Sequence, residues 1–206
     1  MKSEATAKQV VAIDRNTPNV YGLLGEISRA RGAWDQAVSW YKIAVDANPS
    51  KVENYMALSG LYEKLNAWDD AKRSAERAHL LDPTSPFIAN NLAYLYLEHN
   101  GDTHVALSLA QQAKQRLPDS PIVSDTIGWA YYKLGSPQAA VGQLNESVRK
   151  EPGNPTYRYH LGMAYLAMGN PGEAARALQH ALSANPAFPY AENARAALRS
   201  IAKNAP

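Results

Sequence analysis

The stretch Ser120-Pro121-Ile122-Val123-Ser124-Asp125-Thr126-Ile127-Gly128-Trp129-Ala130-Tyr131-Tyr132-Lys133-Leu134-Gly135-Ser136-Pro137-Gln138-Ala139-Ala140 reads as two helix starts with a turn between them. In Ser120-Pro121, and again in Ser136-Pro137, a capping side chain precedes a proline whose fixed φ suits the first helical position. Gly135, just ahead of the second start, accepts the positive φ of a helix end at low cost. Ile127-Gly128 sets a large aliphatic beside a residue without a side chain. Tyr131 follows four positions after Ile127 and Ala140 thirteen after it. The pattern spells two short helices that approach each other closely at small residues.

The same skeleton recurs along the chain. Pro49, Pro83, Pro118, Pro152 and Pro186 are spaced by 34, 35, 34 and 34 residues, a period characteristic of a repeat array. Ahead of each lies an aliphatic with a small partner: Leu24-Gly25, Leu58-Ser59, Leu92-Ala93, Ile127-Gly128 and Leu161-Gly162. Ala37, Ala71, Ala140 and Ala174 repeat the later alanine. Ala106 does so one residue late, which accounts for the spacing of 35. Ala44, Ala78, Ala113, Ser147 and Ala181 continue the small face, while Tyr62, Tyr96, Tyr131 and Tyr165 recur with Ser28 in the first place. Thr17-Pro18, Ser85-Pro86 and Asn154-Pro155 are further helix starts, and Ser50 with Glu53 predicts a capping box where proline is missing. Gly32, Asn66, Gly101, Gly135 and Gly169 are the predicted turn residues, and Asn170-Pro171 restarts a second helix as Ser136-Pro137 does.

These signals predict A helices near 18 to 31, 52 to 65, 86 to 99, 121 to 134 and 155 to 168. B helices follow near 34 to 47, 68 to 81, 103 to 116, 137 to 150 and 171 to 184. The repeats run 18 to 51, 52 to 85, 86 to 120, 121 to 154 and 155 to 188. From Pro189 to about Lys203, an alanine and leucine pattern with Arg195, Arg199 and Lys203 on its polar side predicts a terminal helix within the segment 189 to 206. Within residues 1 to 17, Ala7, Val10, Val11 and Ile13 read as the B helix of a preceding repeat whose A helix is missing. That predicts an excerpt of a longer protein with an uncovered face suited to a weak homodimer.

Composition closes several classes of chemistry. The 206 residues carry 21 Lys and Arg against 19 Asp and Glu, a formal charge of +2 that gives no support to nucleic-acid binding. No cysteine is present, so disulfides, thiolate nucleophiles, zinc knuckles and iron-sulfur clusters are closed to this chain. Met1-Lys2-Ser3-Glu4 leads into a polar segment and no later run has the length to span a bilayer, so no direct membrane contact is expected.

The five consecutive copies between Pro18 and Pro186 resemble the tetratricopeptide repeat, whose consensus has this Leu-Gly, Tyr, Ala, Ala and Pro at these offsets. The resemblance implies an all-α, right-handed superhelical solenoid. The aromatic near the start of the family's repeat is kept as Tyr21 and Tyr55 but is Ala89, Ser124 and Arg158 in later copies. Trp34 and Trp68 stand where the family has a packing aromatic at the start of helix B. The family's concave groove is lined from the second, fifth, ninth and twelfth positions of each A helix. Those positions are Asn19, Gly22, Glu26 and Arg29, then Glu53, Met56, Gly60 and Glu63, then Phe87, Asn90, Tyr94 and Leu97. Repeats four and five contribute Ile122, Asp125, Trp129 and Tyr132, then Thr156, Tyr159, Met163 and Leu166.

The groove changes along its length from small and charged to aromatic. Phe87, Tyr94, Trp129, Tyr132, Tyr159 and Met163 are therefore the expected exposed interface anchors, and with Asn90, Leu97, Ile122 and Asp125 they make up the expected peptide-binding groove. The alternative is that several lie in seams between helices, covered by a neighbouring or terminal helix. The lysine and asparagine clamp with which some relatives hold a chaperone's C-terminal carboxylate is replaced by Gly22, Glu26 and Met56. Asn90 and Asn91 are either peptide-backbone ligands of the kind found in some relatives or plain surface asparagines. His79, His99, His104, His160 and His180 are dispersed, no phosphate loop occurs, and no nucleophilic triad is framed, so no enzyme, metal or cofactor is expected. Asn145-Glu146-Ser147 matches a glycosylation acceptor but falls inside a predicted helix.

Ala89-Asn90-Asn91-Leu92-Ala93-Tyr94, Asp125 to Tyr132 and Tyr157 to Gly162 are also similar to the C-terminal repeats of bacterial tetratricopeptide proteins, including lipoproteins of exosortase and exopolysaccharide systems. That narrower resemblance implies an envelope scaffold, periplasmic or envelope-associated; without it, a cytoplasmic one. The resulting expectation is a non-catalytic scaffold that holds a peptide or helix of another protein in its groove. Self-assembly is the alternative, and an enzyme carried on repeats a distant third.

Overall fold

A computed structural model describes residues 18 to 203. Among the described residues there are eleven α-helices and no strand: α1 (Pro18–Ala30), α2 (Trp34–Ala47), α3 (Val52–Lys64), α4 (Trp68–Leu81), α5 (Pro86–Glu98), α6 (Thr103–Arg116), α7 (Pro121–Lys133), α8 (Pro137–Lys150), α9 (Pro155–Ala167), α10 (Pro171–Ala184) and α11 (Ala191–Lys203). The five B helices fall on their expected limits, and each A helix stops one residue early. The terminal helix begins at Ala191, so residues 185 to 190 form an irregular strap. The expected half-repeat and dimer face in residues 1 to 17 lie outside the described residues. The chain divides after Leu95 into two compact units.

Side-chain caps form at Asn154 and Asp102, and Ser85 Oγ accepts from the Ile88 N–H at 3.5 Å; the expected caps Ser120, Ser136 and Asn170 make no such bond, and their helices start on the following proline alone. Asn154 accepts the N–H groups of Thr156 at 3.0 Å and Tyr157 at 3.4 Å, satisfying two donors that the helix itself leaves without partners. The capping box expected at Ser50 and Glu53 does not form: α3 starts one residue later than such a box needs, after Lys51. Ser50 turns instead toward Asn48, whose Oδ1 accepts both its hydroxyl at 2.9 Å and its N–H at 3.3 Å. Asp82 does the same for Thr84, and Asn185 accepts the N–H of Ala187 at 3.0 Å. In all three the Asn or Asp directly precedes a proline of the 34-residue ruler, so these linkers are Asx turns stiffened by proline, whereas Leu117 and Glu151 precede the other two prolines.

Gly32, Asn66, Gly135 and Gly169 adopt the expected positive φ, but in the third repeat Asn100 takes it, at 57°, and not Gly101. The N–H of Gly101 bonds the carbonyl of Tyr96 at 2.8 Å, as Ala67 bonds Tyr62 and Ser136 bonds Tyr131. Gly101 is thus the counterpart of those residues and Asp102 is the extra one. Asp102 caps α6 through the N–H groups of His104 and Val105, at 2.8 and 3.2 Å.

The small residue of each repeat is a packing requirement. A Cβ on Gly128 would lie 2.5 Å from Leu144 Cγ, and one on Gly162 would lie 2.8 Å from Leu178 Cγ. Leu144 and Leu178 are fully buried against those bare backbones, each burial worth about 1.5 to 3 kcal/mol. In the first unit, Ala37, Tyr41, Leu58 and Leu61 form the core with Trp34 packed against it; Trp68 is half-buried. In the second, Ala140, Leu144, Leu161 and Ala164 do so with Tyr131 and Tyr165. Ser147 is completely buried and its hydroxyl donates to Leu144 O at 2.8 Å, which removes it from any glycosylation acceptor.

Candidate functional site

In the second unit the A-helix spacing brings an aromatic cluster together. Trp129 and Tyr132, three apart on α7, stack with centroids 4.6 Å apart and planes at 7°. His160 on α9 stacks on Trp129 at 4.0 Å, and its Nδ1 meets both carboxylate oxygens of Asp125, at 3.0 and 2.9 Å. The indole N–H of Trp129 donates to Glu98 Oε1 at 2.6 Å. Lys133 donates to the carbonyl of Leu97 at 2.5 Å, lies 3.8 Å from Glu98, and sits 5.3 Å from the centre of the Trp129 ring.

The strap completes this cluster. Tyr190 stacks on Tyr159 at 4.7 Å with planes 6° apart, and its hydroxyl donates to Glu98 Oε2 at 2.6 Å. Phe188 meets Tyr159 edge-on at 6.0 Å and is itself buried. Trp129 and Tyr159 consequently retain only 6% and 5% exposure, and Asp125 and Leu97 are buried too. The expectation of solvent-accessible anchors is corrected for Trp129 and Tyr159, and Asp125 and Leu97 of the expected groove are covered with them: neighbouring rings, carboxylates and the strap enclose these side chains. Burial pushes the Tyr159 hydroxyl up to about 12, helped by the negative fields of Tyr132 and Glu98. Tyr132, raised by burial alone, and Met163 are half-buried at the margin, while Ile122 is half-exposed.

Sequence reasoning missed Glu98, Lys133, His160, Phe188 and Tyr190. Phe188-Pro189-Tyr190 was the available signal, since two aromatics after the last ruler proline have no counterpart after the earlier ones.

In the first unit, Phe87 is 67% exposed and Tyr94, seven positions on along α5, is 36% exposed. Asn90 lies between them but is buried, with its Oδ1 unpartnered, so it is neither a groove ligand nor a surface asparagine; its neighbour Asn91 is exposed. The charged groove positions surround an open cleft of about 880 Å³ whose lining includes Glu26, Arg29, Glu53, Met56, Gly60 and Ile88. Glu26 accepts from the Tyr41 hydroxyl at 2.6 Å and from Arg29 at 2.7 Å, and these two donors hold its carboxyl below the usual carboxylate range. Burial pushes Glu63 the other way. Asn19 accepts from Lys51 at 2.8 Å. Among the described residues no group of His, Asp or Glu has the arrangement of a metal site, and no helix is long and apolar enough to cross a membrane.

Two family models described as tetratricopeptide repeat match the chain, over residues 20–53 and 126–192. The BBSome complex member BBS4 of Bos taurus is 28% identical over 127 residues, which are 62% of this chain. The match spans about a quarter of that relative's length. Among solved structures, YrrB, a TPR protein with an unusual peptide-binding site, superposes with a TM-score of 0.71 at 17% identity, over 92% of this chain and 97% of its own. PilW, a type IV pilus biogenesis factor, gives a TM-score of 0.73 at 18% identity, over 89% and 90%.

Proposed function

Taking as premise that this chain is a tetratricopeptide repeat protein with the all-α solenoid fold of that family, we propose that it is a non-catalytic scaffold holding a peptide or helix of another protein against its A helices. The fold itself supports a protein-interaction scaffold. The observation that carries the finer reading is the exposure of Phe87 and Tyr94 on one helix, at the second and ninth A-helix positions, where the family lines its groove. Large rings held out on a rigid helix bury much area on contact and lose little rotamer freedom. In the second unit, Leu97, Asp125, Trp129 and Tyr159 of the expected set are packed into the aromatic cluster, with Tyr132 and Met163 at its margin. The envelope or export setting rests on the narrower resemblance of repeats three to five. A partner segment chosen from a displayed random-peptide library tests the site. Its affinity should fall at least tenfold in the Phe87→Glu and Tyr94→Ala chains with helical content unchanged; selected peptides that bind these chains as tightly as the wild type remove the site.

A further inference from the structure

The aromatic cluster of the second unit is built like a ligand site with its ligand in place. The strap enters it with two rings and one hydroxyl: Phe188 edge-on to Tyr159, Tyr190 face-on to it, and the Tyr190 hydroxyl on Glu98, 92 positions away in the chain. Glu98 is mostly buried and divides its two oxygens between the indole of Trp129 and the phenol of Tyr190. A buried carboxylate that accepts two such donors fixes where a tyrosine hydroxyl must sit and disfavours a phenylalanine in the same place.

The strap itself is lightly anchored elsewhere. Its backbone hydrogen bonds are local: Ala187 N–H to Asn185 Oδ1, Phe188 N–H to Asn185 O, Ala191 N–H to Phe188 O and Ala194 N–H to Tyr190 O. Arg195 braces it from α11 by donating to Pro186 O at 2.6 Å. In α11 only the small Ala191 and Ala194 are fully buried, with Ala197, Leu198 and Ile201 half-buried. Phe188 and Tyr190 are thus the strap's chief buried anchors, and a terminal segment held mainly by two side chains can open while the rest of the array stays folded. The site also keeps one polar group unmet while the strap is in it. His160 is 1% exposed, its Nδ1 is engaged by Asp125, and its Nε2 is buried without a hydrogen-bond partner.

We propose that this cluster is a recognition site for an extended segment carrying an aromatic residue two positions before a tyrosine, and that Phe188-Pro189-Tyr190 is its intramolecular, displaceable occupant. The inference rests on the scaffold reading and adds its regulation: the aromatic part of the groove is occluded by the chain's own C-terminal segment, and a segment of the same form gains entry when the strap and α11 lift away together. Glu98 reads the tyrosine hydroxyl, Tyr159 and the place of Phe188 read the two rings, and His160 Nε2 is left to pair with a polar group that the strap does not supply.

The test uses the full chain and a fluorescent synthetic peptide of residues 185 to 203. The Tyr190→Ala chain should bind that peptide at least tenfold more tightly than the wild type, because its own strap competes less well. Adding Glu98→Gln to Tyr190→Ala should weaken binding at least fivefold, and so should phenylalanine in place of the peptide's tyrosine. A helical Tyr190→Ala chain that binds the peptide no better than wild type overturns the proposal. Should that variant not fold, hydrogen exchange of the wild-type chain decides. Amides of residues 191 to 203 should exchange through an opening that leaves α8 and α9 protected, and exchange of all three in one cooperative step makes the strap a permanent cap. The readout is the chain's own segment, so failure to find a foreign partner at Phe87 leaves this result standing.

Discussion

Trp129 donates its indole N–H to Glu98 at 2.6 Å, tying α7 to the end of α5, while both faces of its ring are covered by Tyr132 and His160. A side chain so placed is a packing element. Trp129→Ala should therefore cost about 3 to 5 kcal/mol of stability, read as a lower denaturant midpoint. Trp129→Phe keeps most of the ring but leaves Glu98 short of one donor, and about 1 to 3 kcal/mol should be lost. A melting curve unchanged in the alanine variant would mean that the ring is not enclosed as described.

The bare backbones separate two kinds of glycine. Gly162→Ala drives a Cβ to within 2.8 Å of Leu178 Cγ, with the Ala174 carbonyl at 3.3 Å behind it, so it should destabilise by about 1 to 3 kcal/mol. Gly60 lies inside α3 with nothing within 4 Å of the added carbon. Gly60→Ala should stabilise by about 0.5 to 1 kcal/mol through helix propensity and a less free unfolded chain. Chemical denaturation of the two variants side by side checks the opposite signs.

Glu63 supplies a pH-dependent test. Burial raises its pKa in the folded chain above the ordinary value of 4.5, so the folded state binds this proton more firmly than the unfolded state does. Its favourable contribution is complete below the unfolded value and is lost as pH rises through the folded value. Glu63→Gln should accordingly melt higher than wild type near neutral pH and close to wild type at about pH 3.5. Equal shifts at both pH values would show that ionisation of Glu63 is not the cause.

Lys114 is the centre of a polar joint between helices. It donates to Ser124 Oγ at 2.7 Å and to Glu146 at 3.0 Å, and Lys150 joins Glu146 to Asp119. Burial pulls the Glu146 pKa upward, but the hydrogen bonds from Lys114 and Lys150 outweigh it, and the carboxyl titrates below its usual range. A depressed acid contributes stability above its unfolded value, lost as pH falls through the folded one. Lys114→Met should cost about 1 to 2 kcal/mol at neutral pH, and the difference from wild type should shrink on acidification below about pH 4. Paired urea titrations along a pH series would show it, and a pH-independent cost would contradict it.

The fold was legible because most element boundaries are written locally. Ser or Asn before proline, Gly or Asn at the turn, and alanine at fixed offsets are each interpretable without knowing what lies across the interface. That is why the limits of α2, α4, α6, α8 and α10 follow from residue types alone. The site was less so. Tyr94 and Trp129 hold the same A-helix position and look alike on paper, yet one is exposed and the other enclosed. Trp129 is closed off by Glu98, 31 residues before it, and its neighbours Tyr159 and His160 by Tyr190, at the far end of the chain. No periodicity encodes such a pairing, because the strap stands outside the period. Ser50 failed as a cap for a related reason: Asn48, two residues back, competes for its hydroxyl.

The extra residue of the third repeat also marks a place where the chain tolerates growth. Gly101 keeps the bond to Tyr96 that its counterparts make, and a Cβ there would lie 2.7 Å from the Tyr96 backbone, so the turn up to Gly101 is not negotiable. Asp102 restarts the next helix with its own carboxylate, and α5 and α6 are as long as the other A and B helices. Between those two residues the backbone has taken in one more unit without moving either helix end. The Gly101-Asp102 junction is therefore the natural port for grafting: a reporter loop or a small domain inserted there has a fixed turn behind it and a self-capped helix ahead, so the repeats on both sides keep their own boundaries.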